Sequence, residues 1–197
     1  MTARLGIFGG TFDPIHNGHL AAAVNARHGA ALDQVLLVVA NQPWQKAGRR
    51  PITPAADRYA MVEAAVAEVE GLSASDVEIE RRGRSYTADT LAELAASRPE
   101  VELFLIVGAD VAVAIHTWER VAEVAALATL VVVNRPGTPA PAAPPGWDDV
   151  LVVEVPALDI SSTDLRARAS DGRPLDFLVP PAAIRCIRAR GLYAGGR

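Results

Sequence analysis

The sequence predicts an α/β fold: a doubly wound, mostly parallel sheet with helices on both faces. Three observations carry that prediction. Short apolar runs at 4–8 (RLGIF) and 34–40 (QVLLVVA) are unbroken rather than alternating, as strands buried on both faces are. Such runs take turns along the chain with segments of helical periodicity, the pattern of parallel strands joined by helical crossovers. The first run stops at Gly9-Gly10, and residues 9–19 (GGTFDPIHNGH) then place an acid and two histidines where a strand gives way to a helix. In open α/β sheets that edge is where ligands sit.

The remaining elements follow in order. Asn17 is a candidate N-cap for a helix over 18–27, closed near Gly29. After the second strand comes a polar loop over 41–52, and Thr53-Pro54 offers a cap with proline at the first helical position. Tyr59, Val62, Val66 and Val69 recur on one helix face. Residues 77–80 (VEIE) alternate with period two and predict a strand with one wet face, followed by a solvated turn carrying Arg81, Arg82 and Arg84. Thr87 is a candidate cap for a helix with Leu91 and Leu94 inward. Residues 101–107 predict a strand ending at Gly108-Ala109-Asp110, 118–128 a helix, and 130–133 a further strand. Residues 136–147 are rich in proline and small residues and read as an exposed loop, with strand material resuming at 150–155. Ser161 or Ser162 caps a helix through Ala169, and Pro180-Pro181 opens the last one. The whole chain, 1–197, reads as one domain.

Composition removes several function classes. The net charge is −4, without the basic surplus of a general nucleic-acid binder. No apolar run approaches the ~18 residues of a membrane helix, and the opening residues enter a strand at once. The expectation is a soluble cytoplasmic protein with no membrane or nucleic-acid partner. The single cysteine, Cys186, lies in an amphipathic segment and reads as a core residue. Of nineteen basic residues only Lys46 is a lysine, and its neighbours Gln45 and Ala47 exclude a P-loop.

G-x-G-x-x-G is absent from residues 9–19. Gly9 and Gly10 still allow a ligand close to the backbone, and the next helix N-terminus favours an anion such as phosphate. His16 and His19, three apart around the first turn, suit donation to that anion. Ordinary turn residues, or a metal site from Asp13, His16 and His19, are the competing readings.

The stretch GGTFDPIHNGHL resembles the G-G/S-T/S-F-D-P-x-H-x-G-H signature of the nucleotidylyltransferase superfamily, with residues 16–19 as its H-x-G-H core. Residues 160–166 (ISSTDLR) resemble the superfamily's I-S-S-T-x-x-R, within a C-terminal helical part at about 161–193. Residues 85–91 (SYTADTL), Gly108-Ala109-Asp110 with Trp118, Arg135-Pro136-Gly137 and Leu192-Tyr193 are similar to the bacterial nicotinate-nucleotide adenylyltransferases. The chain departs from that pattern at Gln45, where the family often has histidine, and at Cys186, where an aromatic is frequent.

The resemblance implies a Rossmann-like nucleotidylyltransferase fold and transfer of AMP from ATP to nicotinate mononucleotide, with magnesium held by phosphate oxygens and water. It implies that His16, His19, Lys46 and Arg166 serve catalysis. Gly9, Gly10, Thr11, Phe12, Gly108, Asp110, Ser161, Ser162 and Thr163 would join His16, His19 and Arg166 in binding ATP. Lys46, Thr87, Asp110, Trp118 and Arg135 would bind nicotinate mononucleotide. A compact, mobile ammonium suits a phosphate that moves during reaction better than a rigid guanidinium does. Lys46→Arg is therefore expected to lower turnover beyond any loss of stability, and steady-state kinetics beside a thermal midpoint would show it.

Overall fold

A computed structural model describes residues 2–43, 51–139 and 142–194. The strands are β1 (Ala3–Gly10), β2 (Gln34–Val39), β3 (Leu72–Ser75), β4 (Val101–Gly108), β5 (Thr129–Asn134) and β6 (Leu151–Glu154). They form one six-stranded sheet in the order β3-β2-β1-β4-β5-β6, with every pair parallel. The helices are α1 (Asn17–Gly29), α2 (Ala55–Val66), α3 (Val77–Arg81), α4 (Thr87–Ser97), α5 (Ala109–Ala114), α6 (Val121–Leu127), α7 (Ser162–Asp171) and α8 (Pro181–Ala189). Among the described residues no helix is long and apolar enough to cross a membrane.

The unbroken apolar strands are explained by two cores, one on each face of the sheet. Phe104 and Ile106 of β4 and Val35, Leu37 and Val39 of β2 join the core that includes residues of α1, α2, α7 and α8. Leu103, Leu105 and Val107, with Leu36 and Val38, join the core that includes residues of α4, α5 and α6. Successive side chains of a strand point to opposite faces, so both sets must be apolar. A Cβ on Gly6 of β1 would stand 2.8–2.9 Å from Leu32, Val35 and Ile106, which is why glycine interrupts that run. Cys186 packs partly buried against the first core, and Trp147 closes the second, its indole N–H donating to the Ala128 carbonyl at 2.9 Å.

Several expectations need correction. Residues 77–80 form α3, not a strand. The amides of Ile79 and Glu80 both donate to the Asp76 carbonyl, and Glu78 is buried rather than wet. The strand that pairs with β2 lies earlier, at Leu72–Ser75, a short edge strand containing two serines. Helix does not start at Trp118: a 3₁₀ turn (Ile115–Thr117) precedes it, Arg120 is left-handed, and α6 starts only at Val121. The buried stripe of α2 is Arg58, Met61, Val62, Ala65 and Val66, so Tyr59 stands at its margin. Three caps lie one residue from expectation: His16 before α1, Pro54 before α2 and Tyr86 before α4.

The strand order reverses between β1 and β4, the neighbours at the middle of the sheet. The crevice outside their carboxyl ends is the expected ligand position in such a sheet.

Candidate active site

Two groups of residues meet at that crevice. The first gathers around residues 12–19. Phe12 has φ +47°, a left-handed conformation, and is buried, with its ring edge-on to His19 at 5.0 Å between centroids. A Cβ on Gly10 would stand 2.6 Å from that ring, so glycine is required there. His16 and His19 stack with centroids 3.6 Å apart. The His16 backbone N–H donates to His19 Nδ1 at 3.2 Å. That bond places the lone pair on Nδ1, so the proton of the neutral ring sits on Nε2.

His16 is buried, and desolvation pushes its pKa from 6.5 down to about 4. The ring is therefore neutral at pH 7 and acts through hydrogen bonds, not charge. Between pH 6.5 and about 4 the unfolded chain binds a proton that the folded chain refuses, so stability falls as pH drops through that window. The full effect is on the order of 3 kcal/mol. Urea unfolding at pH 4 to 7 should show this loss in the wild type and a flatter profile in His16→Gln.

The second motif, residues 160–166, arrives from 148 residues further on. The Ser162 hydroxyl donates to the Pro14 carbonyl at 3.0 Å, and Arg166 Nη1 donates to the Asp13 carbonyl at 2.7 Å. Arg166 Nη2 also donates to Thr163 Oγ1 at 3.0 Å, which fixes the fork along the first turn of α7. Ser161 is the cap of α7, its Oγ accepting from the Asp164 N–H. From the carboxyl-terminal side, the Tyr193 hydroxyl donates to Asp13 Oδ1 at 2.7 Å. This contact engages the acid weighed as a metal ligand. Among the described residues no group of three or more His, Cys, Asp or Glu side chains is arranged to hold a metal ion.

The helix entry sets a further demand. A Cβ on Gly18 would stand 3.0 Å from His16 Nδ1 and 3.2 Å from Cε1. Gly18→Ala gains up to about 1 kcal/mol of helix propensity, which offsets the crowding in the fold but not in the site. Its thermal midpoint should stay near the wild-type value while turnover falls about tenfold, because the displaced imidazole loses its alignment.

The second group lines a cavity of about 280 Å³ between the ends of β1 and β4. Gly9, Gly10, Thr11, Gly108, Thr87 and Trp118 all line it. A Cβ on Gly9 would meet nothing within 4 Å, so the backbone there faces open space. Trp118 is half-buried and packs its inner part against the second core. The N-terminus of α4, beside the cavity, has no side-chain cap.

Not every expected residue joins these groups. Asp110 is exposed in the first turn of α5, whose cap position is held by Gly108. A Cβ on Gly108 would lie 2.7 Å from Asp110 Oδ1, so the carboxylate folds back over the cavity's glycine wall. Arg135 is exposed in the turn after β5 and does not line the cavity. Lys46 and Gln45 lie outside the described residues.

Other residues of the site were not expected. Glu78 lines the cavity wall, with Oε1 accepting from the Thr90 hydroxyl at 2.7 Å, and burial pushes its pKa up. Arg58 is buried beneath Thr11, to whose carbonyl its Nη1 donates at 2.8 Å. Its only signal in the sequence is an arginine in register with the apolar stripe of α2.

A parallel sheet with a crevice at its switch point, with helix N-termini and two imidazoles beside it, has the form of a nucleotide-handling α/β protein. The chain matches the cytidylyltransferase-like family model over residues 7–168, and it belongs to that family. A probable nicotinate-nucleotide adenylyltransferase of Corynebacterium kroppenstedtii is 48% identical over 192 residues, covering 96% of this chain and 90% of that one. A protein of the same description from Streptomyces coelicolor is 46% identical over 187 residues, covering 95% and 99%. The nicotinic acid mononucleotide adenylyltransferase of Plasmodium falciparum, solved in complex with NaAD, shares the fold with a TM-score of 0.76. It is 17% identical, with 97% of each chain covered.

Proposed function

We propose that the protein transfers the adenylyl group of magnesium-ATP to the 5′-phosphate of nicotinate mononucleotide, forming deamido-NAD and releasing pyrophosphate. The observation that carries this reading is the meeting of the two distant motifs, through Ser162 on Pro14 and Arg166 on Asp13, beside the cavity at the switch point.

An oxygen of the acceptor phosphate attacks the α-phosphorus, and the bond to the α–β bridging oxygen breaks as pyrophosphate leaves. The acceptor phosphate is already anionic near neutral pH, so no general base is needed. The protein contributes position and charge stabilisation. His16, neutral at pH 7, and His19 donate N–H bonds to the triphosphate near the α-phosphate, with the Gly10 and Thr11 amides alongside. The start of α7, with Ser161, Ser162 and Thr163, receives the β- and γ-phosphates, and Arg166 adds a permanent charge with several donors. Magnesium arrives on the phosphate oxygens of ATP. At the acceptor end Trp118 stacks on the pyridine ring, and Thr87 with the open N-terminus of α4 meets the carboxylate. Asp110 takes a ribose hydroxyl, and Lys46 and Arg135 approach phosphate.

Pyrophosphate release with ATP and three acceptors tests the reading: nicotinate mononucleotide, nicotinamide mononucleotide and phosphopantetheine. Release is expected chiefly with the first. Equal rates for the first two would remove carboxylate recognition, and no release with any would remove the reaction.

A further inference from the structure

Arg58 is the fourth residue of α2 and only 1% exposed. Its position is a poor one for stability alone. A cation in the first turn opposes the helix dipole, and buried charged groups are often replaced by apolar ones at no cost. Apolar residues fill the rest of its stripe: Met61, Val62, Ala65 and Val66.

Its donors reach three separate segments. Nε donates to the Thr53 carbonyl at 2.8 Å, Nη1 to the Thr11 carbonyl at 2.8 Å and Nη2 to the Asn41 carbonyl at 3.1 Å. Thr11 belongs to the turn proposed to receive ATP. Asn41 and Thr53 are the described flanks of the segment that contains Lys46. Asn41 carries the connection onward, its N–H donating to Ser85 Oγ at 2.8 Å and its Nδ2 to the Gly83 carbonyl at 2.9 Å. Ser85 lines the cavity beside Tyr86 and Thr87. A polar chain thus runs from the ATP turn, through buried Arg58 and half-buried Asn41, to the wall assigned to the acceptor.

We infer that Arg58 is a positioning residue for the transfer reaction, fixing the ATP turn and the acceptor wall in one register without touching either substrate. The inference rests on the proposed reaction. Its physical basis is that a planar guanidinium can hold three carbonyls in fixed directions at once, whereas a single ammonium cannot. Separation of the two reacting groups by an ångström costs about a hundredfold in rate.

The test compares Arg58→Lys and Arg58→Met with the wild type in pyrophosphate release, with thermal unfolding measured on the same samples. The expected result is a fall in kcat of about 10- to 100-fold in both, with each KM within about threefold of wild type and a cooperative unfolding transition retained. Calorimetric titration supplies a second readout. A non-hydrolysable ATP analogue should tighten nicotinate mononucleotide binding in the wild type and do so less in both variants. Wild-type kcat in Arg58→Lys, a loss that follows the unfolded fraction, or failure of both variants to fold would each overturn the role in favour of a structural one. No release from the wild type with any acceptor would instead overturn the reaction, and this role with it.

Discussion

Replacing His19 by alanine is expected to lower kcat by about 10²–10³-fold, equivalent to about 2.7–4 kcal/mol, the usual loss when one preorganised donor to a developing charge is removed. The expectation comes from the way the ring is held. Its Nδ1 accepts the His16 N–H, which sets Nε2 as the donor, and the rings of Phe12 and His16 fix its plane. No rotamer search is then needed during the reaction. The same bond gives the variant a structural cost, since the His16 amide loses its partner at the start of α1, worth about 1 kcal/mol. That cost is small beside the catalytic one, so the two separate in the data. The thermal midpoint should move by a few degrees while turnover nearly vanishes, and His19→Asn should recover stability without recovering rate. A His19→Ala enzyme within tenfold of wild-type kcat would remove the imidazole from the mechanism.

At the acceptor end the largest effect is expected from Trp118→Ala. Stacking of an aromatic base on an aromatic side chain contributes about 1–3 kcal/mol, so KM for nicotinate mononucleotide should rise by roughly 5- to 150-fold. KM for ATP should stay within twofold, because Trp118 is assigned to the pyridine ring and not to the triphosphate. The indole also packs against the second core, so the alanine variant loses stability as well. Trp118→Phe distinguishes the two contributions, retaining a stacking face with less core contact. Initial rates over a nicotinate mononucleotide series at saturating ATP read the effect directly. An unaltered acceptor KM in Trp118→Ala would place the pyridine elsewhere.

The parallel sheet was legible because its strands carry their environment in themselves. A segment such as 34–39 cannot be apolar on both faces unless both are covered, and two cores cover it. The motifs at 16–19 and 160–166 were legible as local chemistry, and the fold brings them together. What escaped was decided by distant partners. Val77-Glu78-Ile79-Glu80 alternates like a strand, yet Glu78 turns inward to a hydroxyl twelve residues away, on a helix that local periodicity cannot see. The true edge strand, Leu72–Ser75, has too little apolar content to announce itself. Arg58 was invisible as a site residue because its partners are backbone carbonyls, which leave no trace in the identity of Thr11, Asn41 or Thr53. Asp13 suits a metal ligand by residue type alone, yet its Oδ1 accepts from the hydroxyl of Tyr193, a partner that local sequence cannot show.

That tyrosine has a consequence for when the protein becomes active. Tyr193 and Asp13 are 180 residues apart, and their contact steadies the loop between Phe12 and His16. Arg166 and Ser162 brace the same loop from positions almost as remote. A ribosome adding 5–20 residues per second delivers the partner of Asp13 roughly 10 to 40 s after Asp13 itself. Through that interval the emerging chain holds the histidines but not their supports. A growing chain can collapse around β1 and β2, yet the loop gains all three braces only once Tyr193 has emerged. A chain cut immediately before Tyr193 keeps all of α8 and should accordingly fold yet turn over slowly.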